Sequence, residues 1–519
     1  MKIQFLRYSC LERKYFNRSY HTFFLTVCMC LMGLNLQAQT PNILMIVSDD
    51  LNTRIGPYMD IDNHTPHLDR LANEGVRFSR AYSQFPLCGP SRASFMSGLY
   101  PQTNGVLGNN DQPGSYKKET PALANHPSIA GFFRERGYYT ARVSKIFHMG
   151  VPGGIERGEP GGDEPDSWDY AYNVLGPETL SQGNLELLSP KNHHYGSNFA
   201  QMVIADSLER TQTDYLAASQ AIAILENRAG KIPEKATNKQ KIKKEAPFFL
   251  AVGFVRPHVP LIAPESSFSP YPVKETVLPS FTIGENVPEP ALRRQNDKIW
   301  GMDELQQRKT ISAYMASVRF MDQQVGRLLD ALDRMDLRKE TIVIFMSDHG
   351  YNLGEHDCWS KSSLWEGSVA APLIISVPGS AYEGKYGTTS YSITELIDLY
   401  PTLADLAGFA NEKPSILQGE SLAGFLKEGE YEKSKDYAYT ITQGGTAASI
   451  RTNQWRYTRW GEDASKNNEE LYDHHNDPEE HFNLVGNPLN NDVLIEIRNQ
   501  FEKARINANS ELGSSNSNY

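Results

Sequence analysis

Four short runs of unbroken apolar residues constrain this chain more than any other feature. They are Asn42–Ser48, Phe248–Phe254, Thr341–Met346 and Leu373–Val377. None shows the polar alternation of a half-solvated strand. A strand is apolar at every position only when both of its faces are covered. Helical patterns lie between the runs. Val318, Met321, Val325, Leu328, Leu329 and Leu332 recur at three- and four-residue steps, which places them on one helical face. Thr65–Gly75 has Pro near its start and Gly at its end, as a short helix does. Buried strands alternating with helices predict an α/β fold with a mostly parallel sheet flanked by helices. The chain has 519 residues, too many for one ordinary core, so a smaller second domain is expected.

The texture changes after Ile397–Phe409, an amphipathic helix pattern with an internal proline. Tyr437–Ile441, Ala447–Arg451 and Arg456–Trp460 are short alternating runs broken by Gly and polar turns, and a helical pattern follows near Asp492–Ile506. These predict a C-terminal α+β subdomain over 411–509 with a small antiparallel sheet. The larger N-terminal domain is then expected over 40–410. Arg228–Pro247 is polar and lysine-rich, and reads as an exposed insertion. The last residues, 510–519, read as a disordered tail.

The first 39 residues read as a targeting segment. Basic residues precede the apolar run Phe23–Leu36, and Ala38 follows. That is the order of a secretory signal. The run is shorter than the roughly 20 apolar residues of a spanning helix, so no stable membrane span is expected. A secreted or periplasmic protein follows. The formal net charge is −11. Five basic residues and one acid fall in the first 39, so the remainder stands near −15. No global positive field exists to draw nucleic acid. An anionic substrate would need local cations to hold it.

Two of the buried strands end in acids. Asn42–Ser48 runs into Asp49 and Asp50, and Thr341–Met346 into Ser347, Asp348 and His349. Open α/β sheets bind ligands at the carboxyl ends of their strands. Three carboxylates gathered there would repel one another unless a cation neutralised them. Oxygen ligands suit a hard ion, calcium or magnesium. The alternative is that each Asp caps the turn after its strand. Cys10, Cys28 and Cys30 lie in the targeting segment, which leaves Cys88 and Cys358. They could form one disulfide in an oxidising compartment, or Cys88 could serve chemistry.

Leu87–Cys88–Gly89–Pro90–Ser91–Arg92 contains Cys-x-Pro-Ser-Arg. With it stand Ser144–Lys145–Ile146–Phe147–His148, Arg256–Pro257–His258, Ser347–Asp348–His349–Gly350, Lys361 and Glu470–Leu471–Tyr472–Asp473. In this ordered set the chain resembles the sulfatase family, and within it the iduronate-2-sulfatase-like branch, from about Pro41 to about Asn483. The resemblance implies an alkaline-phosphatase-like fold. It implies that a formylglycine-generating enzyme converts Cys88 to formylglycine (3-oxoalanine). It implies one Ca2+ held by Asp49, Asp50, Asp348, His349 and the modified Cys88. Arg92 would hold the formylglycine, and Lys145, His148, His258 and Lys361 would surround the sulfate. The aldehyde hydrates to a diol, of which one hydroxyl attacks sulfur and the other later expels sulfate. His258 would be the acid to the leaving oxygen, and His148 the base of the second step.

The substrate implied is a sulfated oligosaccharide or polysaccharide, glycosaminoglycan or an algal glycan such as ulvan. Asn104–Lys118, Trp168 and His193–His194 are expected to line sugar subsites. Two other readings remain open: a phosphate or phosphonate ester hydrolase of the same superfamily, and an unmatured, non-catalytic glycan-binding protein.

Overall fold

The computed structural model describes residues 40–59, 64–228, 246–280, 283–284, 286–380, 387–429, 435–463 and 467–509. The targeting segment over 1–39, most of the lysine-rich insertion and the tail over 510–519 lie outside the described residues. Among the described residues no helix is long and apolar enough to cross a membrane.

The central sheet has eight strands. In chain order they are β1 (Asn42–Asp49), β2 (Val76–Phe78), β3 (Tyr139–Ser144), β4 (Tyr170–Tyr172), β5 (Phe248–Pro257), β6 (Thr341–Ser347), β7 (Leu373–Ser376) and β8 (Thr388–Ser390). Their spatial order is β8-β2-β7-β6-β1-β5-β3-β4. β1 pairs in parallel with both β6 and β5, and β3 with both β5 and β4. β7 alone is reversed, antiparallel to β6 and to β2. The sheet is mostly parallel, as expected. The reversal of β7 was not legible, because an apolar run has no direction.

Each apolar run is apolar throughout because alternate residues serve two cores. On β1, Leu44 and Ile46 face one core, and Ile43, Met45 and Val47 face the other. β6 divides likewise, Val343 and Phe345 against Ile342, Ile344 and Met346. The first core is covered by helices Pro66–Asn73, Thr213–Arg228 and Glu304–Arg334. The long third helix begins at a capping box in which Asp303 and Gln306 each satisfy the other's backbone N–H. Helices Cys88–Ser97, Ile129–Glu135 and Leu399–Leu406 cover the second core. Pro401 sits in the first turn of its helix, where its missing N–H leaves no gap.

Near the C-terminus stands a separate antiparallel sheet, β9 (Ala438–Thr442), β10 (Ala447–Arg451), β11 (Trp455–Trp460) and β12 (Glu469–Asp473), in sequential order. Helix Asn491–Ala508 packs Leu494, Ile497, Phe501 and Ala504 on one face of it. The other face packs Trp460 and Tyr472 with Tyr82 and Trp365. Backbone bonds extend this contact to the segment leading into Cys88: Ile441 N–H donates to the Gln84 carbonyl at 3.0 Å, and the Thr440 hydroxyl to the Ser83 carbonyl at 2.6 Å. A smaller sheet of Gly183–Leu187, Ala200–Ile204 and Leu261–Pro264 had no counterpart in the sequence expectations.

A buried ionic network also ties β11 to the loops of the larger sheet. Arg456 bonds both Glu480 and Glu366, and His474 Nε2 lies 2.9 Å from Glu480 Oε1. Burial raises the Glu366 carboxyl, but Arg451 and Arg456 outweigh it and hold it at about 2. Removing one member of such a network strands the others without partners. Arg456→Ala is expected to lower stability by about 3–5 kcal/mol, read as a fall in the denaturant midpoint. A loss below about 1 kcal/mol would mean that the network contributes only as an exposed pair does.

Candidate functional site

The register of the sheet builds one locus from four strand ends. Val47 pairs with Met346, and Ser48 with Ser347, so β1 and β6 finish side by side. Ser144 at the end of β3 pairs with Gly253 of β5, and Asp49 pairs with Pro257 beyond an irregularity. Asp49, Asp50, Asp348, His349, Lys145 and His258 therefore emerge at one edge of the sheet. Helix Cys88–Ser97 starts there, with Leu87 extended before it. Lys361 enters on the strap between Trp359–Ser360 and Glu366–Val369.

Three non-glycine residues with left-handed backbones border the charged groups. Asp50 has φ 64°, and Ser360 and Ser362, on either side of Lys361, both have φ 71°. Ser144, just before Lys145, adds a fourth at φ 62°. Such conformations persist only where surrounding bonds impose them, and they concentrate at functional sites. At Asp50 the bonds are visible. Its N–H donates to Asp348 Oδ1 at 3.2 Å, and its carbonyl accepts from the Tyr314 hydroxyl at 2.7 Å.

Arg92 is fully buried beneath the site. It donates to Asp348 Oδ2 at 2.8 Å, to Asp49 Oδ1 at 3.3 Å, and to the carbonyls of Lys145 and Ile146 at 2.6 and 3.0 Å. Lys145 Nζ donates to Asp49 Oδ2 at 2.6 Å. Lys361 Nζ reaches Asp50 Oδ1 at 2.6 Å and Cys88 Sγ at 3.0 Å. His349 Nε2 lies 3.4 Å from Cys88 Sγ and 3.4 Å from Asp50 Oδ1, and its Nδ1 lies 2.8 Å from the Gly350 carbonyl. His258 Nε2 faces Asp50 Oδ2 at 3.6 Å, and its Nδ1 lies 2.8 Å from the Val259 carbonyl. His148 is placed less directly. Its Nε2 meets Asp111 at 3.4 Å, and its Nδ1 is buried without a partner.

The charges bias one another strongly. Burial raises the Asp49 carboxyl, but Lys145, His258, Arg92 and Lys361 outweigh it and hold it well below the ordinary range. At Asp50 burial again opposes ionisation, and Lys361 and His258 prevail. Burial pushes the Cys88 thiol up, as does Asp49, yet Lys361 and Lys145 bring it below its usual value. Burial disfavours the His349 cation, but Asp348 and Cys88 push it up to about 9. Burial and then Lys145 push His148 down to about 3, which leaves it neutral at ordinary pH.

The residues fit a hard cation. One oxygen from each of Asp49, Asp50 and Asp348 lies within 4.8 Å of the others. Asp50 Oδ2 is buried with no hydrogen-bond partner, as a ligand atom would be. Cys88 and His349 group with Asp50 in the same way. The capping alternative holds in part for Asp348, whose Oδ1 accepts from the N–H groups of Asp50 and His349. Asp49 binds only side-chain cations among the described residues. Three carboxylates already face Arg92, Lys145 and Lys361, so a dication would leave the locus positive toward an anionic substrate.

Several expectations are placed differently. Cys88 and Cys358 are both free, so they do not form the alternative disulfide. Trp168 does not line a subsite. It is 6% exposed, donates to Asp163 and packs on Phe249, because its indole fills the core beside β3. His193 and His194 are exposed on a turn. The Asn104–Lys118 segment does reach the site. Asn109 Oδ1 accepts from Gly89 N–H at 2.9 Å, and Asp111 meets His148. Asp111 itself sits in a polar Asn-Asn-Asp-Gln run without periodicity, and nothing in sequence marked it.

Comparison with known proteins adds the following. A family model described as Sulfatase matches residues 41–409, and one described as N-sulphoglucosamine sulphohydrolase, C-terminal, matches 354–507. A sulfatase of Formosa agariphila is 30% identical over 482 residues, 90% of this chain and 88% of that one. Iduronate 2-sulfatase of Homo sapiens is 32% identical over 426 residues, 74% and 72% of the two chains. Among solved structures, a 2-O GAG sulfatase superposes with TM-score 0.66 at 24% identity, covering 90% of this chain and 92% of that one. The phosphonate monoester hydrolase of Agrobacterium radiobacter gives TM-score 0.66 at 22% identity, covering 90% and 96%. These two likenesses concern the fold.

The thiol provides a direct test of the site's electrostatics. In unmodified protein carrying Cys358→Ala, Cys88 is expected to titrate below an ordinary thiol, followed by ultraviolet thiolate absorbance. Lys361→Met removes its nearest cation and should move the titration above the ordinary value. An unchanged titration would show that Lys361 does not set the local potential.

Proposed function

This chain belongs to the sulfatase family and is a sulfuric ester hydrolase, and from that premise we propose that it cleaves sulfate from a sulfated sugar with residue 88 as the nucleophile. One observation carries the proposal: Cys88 opens a buried helix within reach of three aspartates, Lys361 and His349. Converted to formylglycine, residue 88 would supply, as the hydrate, one hydroxyl that attacks sulfur as the S–O bond to the sugar breaks, and a second that loses its proton and expels sulfate as the aldehyde re-forms. A calcium ion held by Asp49, Asp50 and Asp348, with His349 and residue 88 beside them, would supply positive charge toward the sulfate oxygens.

The chain's own side chains do the rest. Lys145 and Lys361 set two ammonium groups beside the nucleophile, where they offset the charge of the sulfate. Arg92 fixes Asp49 and Asp348 and keeps them apart. The Nδ1 of His258 donates to a carbonyl, so its Nε2 is the nitrogen left to face the site. As the imidazolium it delivers a proton to the leaving sugar oxygen. His148 is neutral, and its unpartnered Nδ1 is the atom left to accept a proton near residue 88.

The substrate class proposed is a sulfated uronate-type or related sugar from glycosaminoglycan or algal polysaccharide, in keeping with the iduronate 2-sulfatase among the relatives. A formylglycine-generating enzyme is the maturation partner, and a secreted or periplasmic location follows from the N-terminal segment. Phosphate and phosphonate esters are the discriminating controls, because the fold is shared with a phosphonate monoester hydrolase. The domain limits proposed are 40–410 and 411–509.

Three outcomes are expected. Cys88→Ala should lose sulfate release while keeping its melting temperature, and mass spectrometry of the native peptide should find formylglycine at 88. Normal turnover by that variant would end the proposal. Rigorous chelation should abolish activity and calcium should restore it, whereas restoration by zinc alone would rule out calcium. His258→Ala should slow desulfation of a sugar sulfate by about 10²–10⁴-fold and an activated aryl sulfate far less. Equal slowing of both substrates would remove His258 from the role of acid.

A further inference from the structure

The turn Glu289–Arg294 lies against the strap that bears Lys361. Gln295 forms an antiparallel bridge with Cys358. Arg293 Nη2 donates to the Ser362 carbonyl at 2.9 Å, one residue beyond Lys361, whose Nζ contacts Cys88 Sγ. Ser362 N–H in turn donates to the Pro86 carbonyl at 3.0 Å, two residues before Cys88. Arg293 is thereby tied to the strap of Lys361, which is tied in turn to the segment before Cys88, and Arg294 lies between Arg293 and the bridging Gln295.

Neither guanidinium has a carboxylate partner among the described residues. The one acid of the same turn, Glu289, is paired with Lys298 instead. The Nε atoms of both arginines are buried and unpartnered. Arg294 lies over the buried Trp300 ring at 4.9 Å, which fixes its plane without neutralising it. Both side chains remain partly accessible. Two adjacent, desolvated, uncompensated cations are costly, and proteins seldom keep them without a counter-anion. Burial and then Arg293 push Arg294 down to about 10, and Tyr351, Cys358 and Asp50 are the groups near enough to oppose this. Asp50 is the aspartate that lies 3.7 Å from Cys88 Sγ. The other cations at this locus are already committed: Arg92 to Asp49 and Asp348, Lys145 to Asp49, Lys361 to Asp50.

We infer that Arg294, assisted by Arg293, forms a second anion subsite that binds an oxyacid group, carboxylate or sulfate, carried by the substrate in addition to the sulfate that is cleaved. The inference deepens the sulfated-sugar reading and rests on it. A guanidinium matches the planar pair of oxygens of a carboxylate and two oxygens of a sulfate equally well. Its side chain is largely shielded from water, so losing a charge-assisted bond there should cost binding by about tenfold or more. A chain whose mature charge is strongly negative needs such a site to select a polyanion.

The experiment compares three monosaccharide substrates: a uronate 2-sulfate, a neutral hexose carrying one sulfate, and the same hexose carrying two. The readout is the ratio of kcat/KM for each doubly anionic sugar to that for the singly sulfated one. In matured enzyme Arg294→Gln is expected to lower at least one ratio about tenfold, mainly through KM, and Arg294→Lys to restore part of it. A fall in the uronate ratio identifies the carboxylate as the natural partner, and a fall in the disulfate ratio identifies a second sulfate. If Arg294→Gln lowers all three substrates equally, the guanidinium only supports the pocket and the inference is overturned.

Binding gives an arm independent of turnover. Calorimetry with an unsulfated uronate-containing disaccharide and with a disulfated hexose, on unmatured protein, should show at least one Kd rising about tenfold in Arg294→Gln. Unchanged affinity for both probes, with sulfate release intact, overturns the subsite and leaves the sulfatase reading standing. A weakened Kd, in a chain that releases sulfate from no substrate, upholds the subsite and overturns that reading.

Discussion

Arg92 is the interaction on which the site depends. It takes an oxygen from Asp49, at the end of β1, and another from Asp348, just beyond β6, and holds both with a guanidinium wholly shut off from water. Without it, two carboxylates from adjacent strand ends would face each other in a medium that screens poorly. The same side chain binds the carbonyls of Lys145 and Ile146, so the loop after β3 is fixed by the same group. Helix Cys88–Ser97 thus supplies both Cys88 and, one turn later, the cation that assembles its surroundings. The spacing of Cys88 and Arg92 is one helical turn, which puts both side chains on the face of the helix that meets the strand ends.

The surroundings of Cys88 are held from two sides. The parallel sheet delivers the aspartates, and the antiparallel sheet grips the segment before the helix through Ser83 and Gln84. Lys361 stands between two residues with left-handed backbones on a strap bonded to Pro86 and Arg293. A lysine so placed has little freedom, and its ammonium stays beside Cys88 at small entropic cost when an anion arrives.

Much of this was legible in sequence, and the reasons are physical. β1, β5 and β6 announced themselves because alternate residues serve two cores, which leaves no polar position along the run. Asp49, Asp50, Asp348 and His349 were legible as strand ends, and Cys88, Arg92, Lys145, His258 and Lys361 through the ordered motifs around them. The direction of β7 was hidden, since hydrophobicity is the same read either way. The sheet of Gly183–Leu187, Ala200–Ile204 and Leu261–Pro264 was hidden because its strands are short and one comes from far along the chain. Asp111 and Arg294 stand in a loop and a short turn, where no period marks a residue and only the folded chain says what each one meets. Trp168 was misplaced because a buried indole and a sugar-stacking indole look alike in sequence.

The burial of the Cys88 segment has a consequence for timing. Cys88, Pro90, Ser91 and Arg92 are all enclosed once the helix has packed. An enzyme that must read these side chains can meet them only while the helix is still undocked. The strands that clamp the preceding residues are synthesised long after Cys88, since the first of them begins at Ala438. Until those strands are made the motif therefore lacks its final restraint. Once the C-terminal sheet arrives the motif is enclosed, and any chemistry that must reach the Cys88 side chain with the motif extended has to come before it.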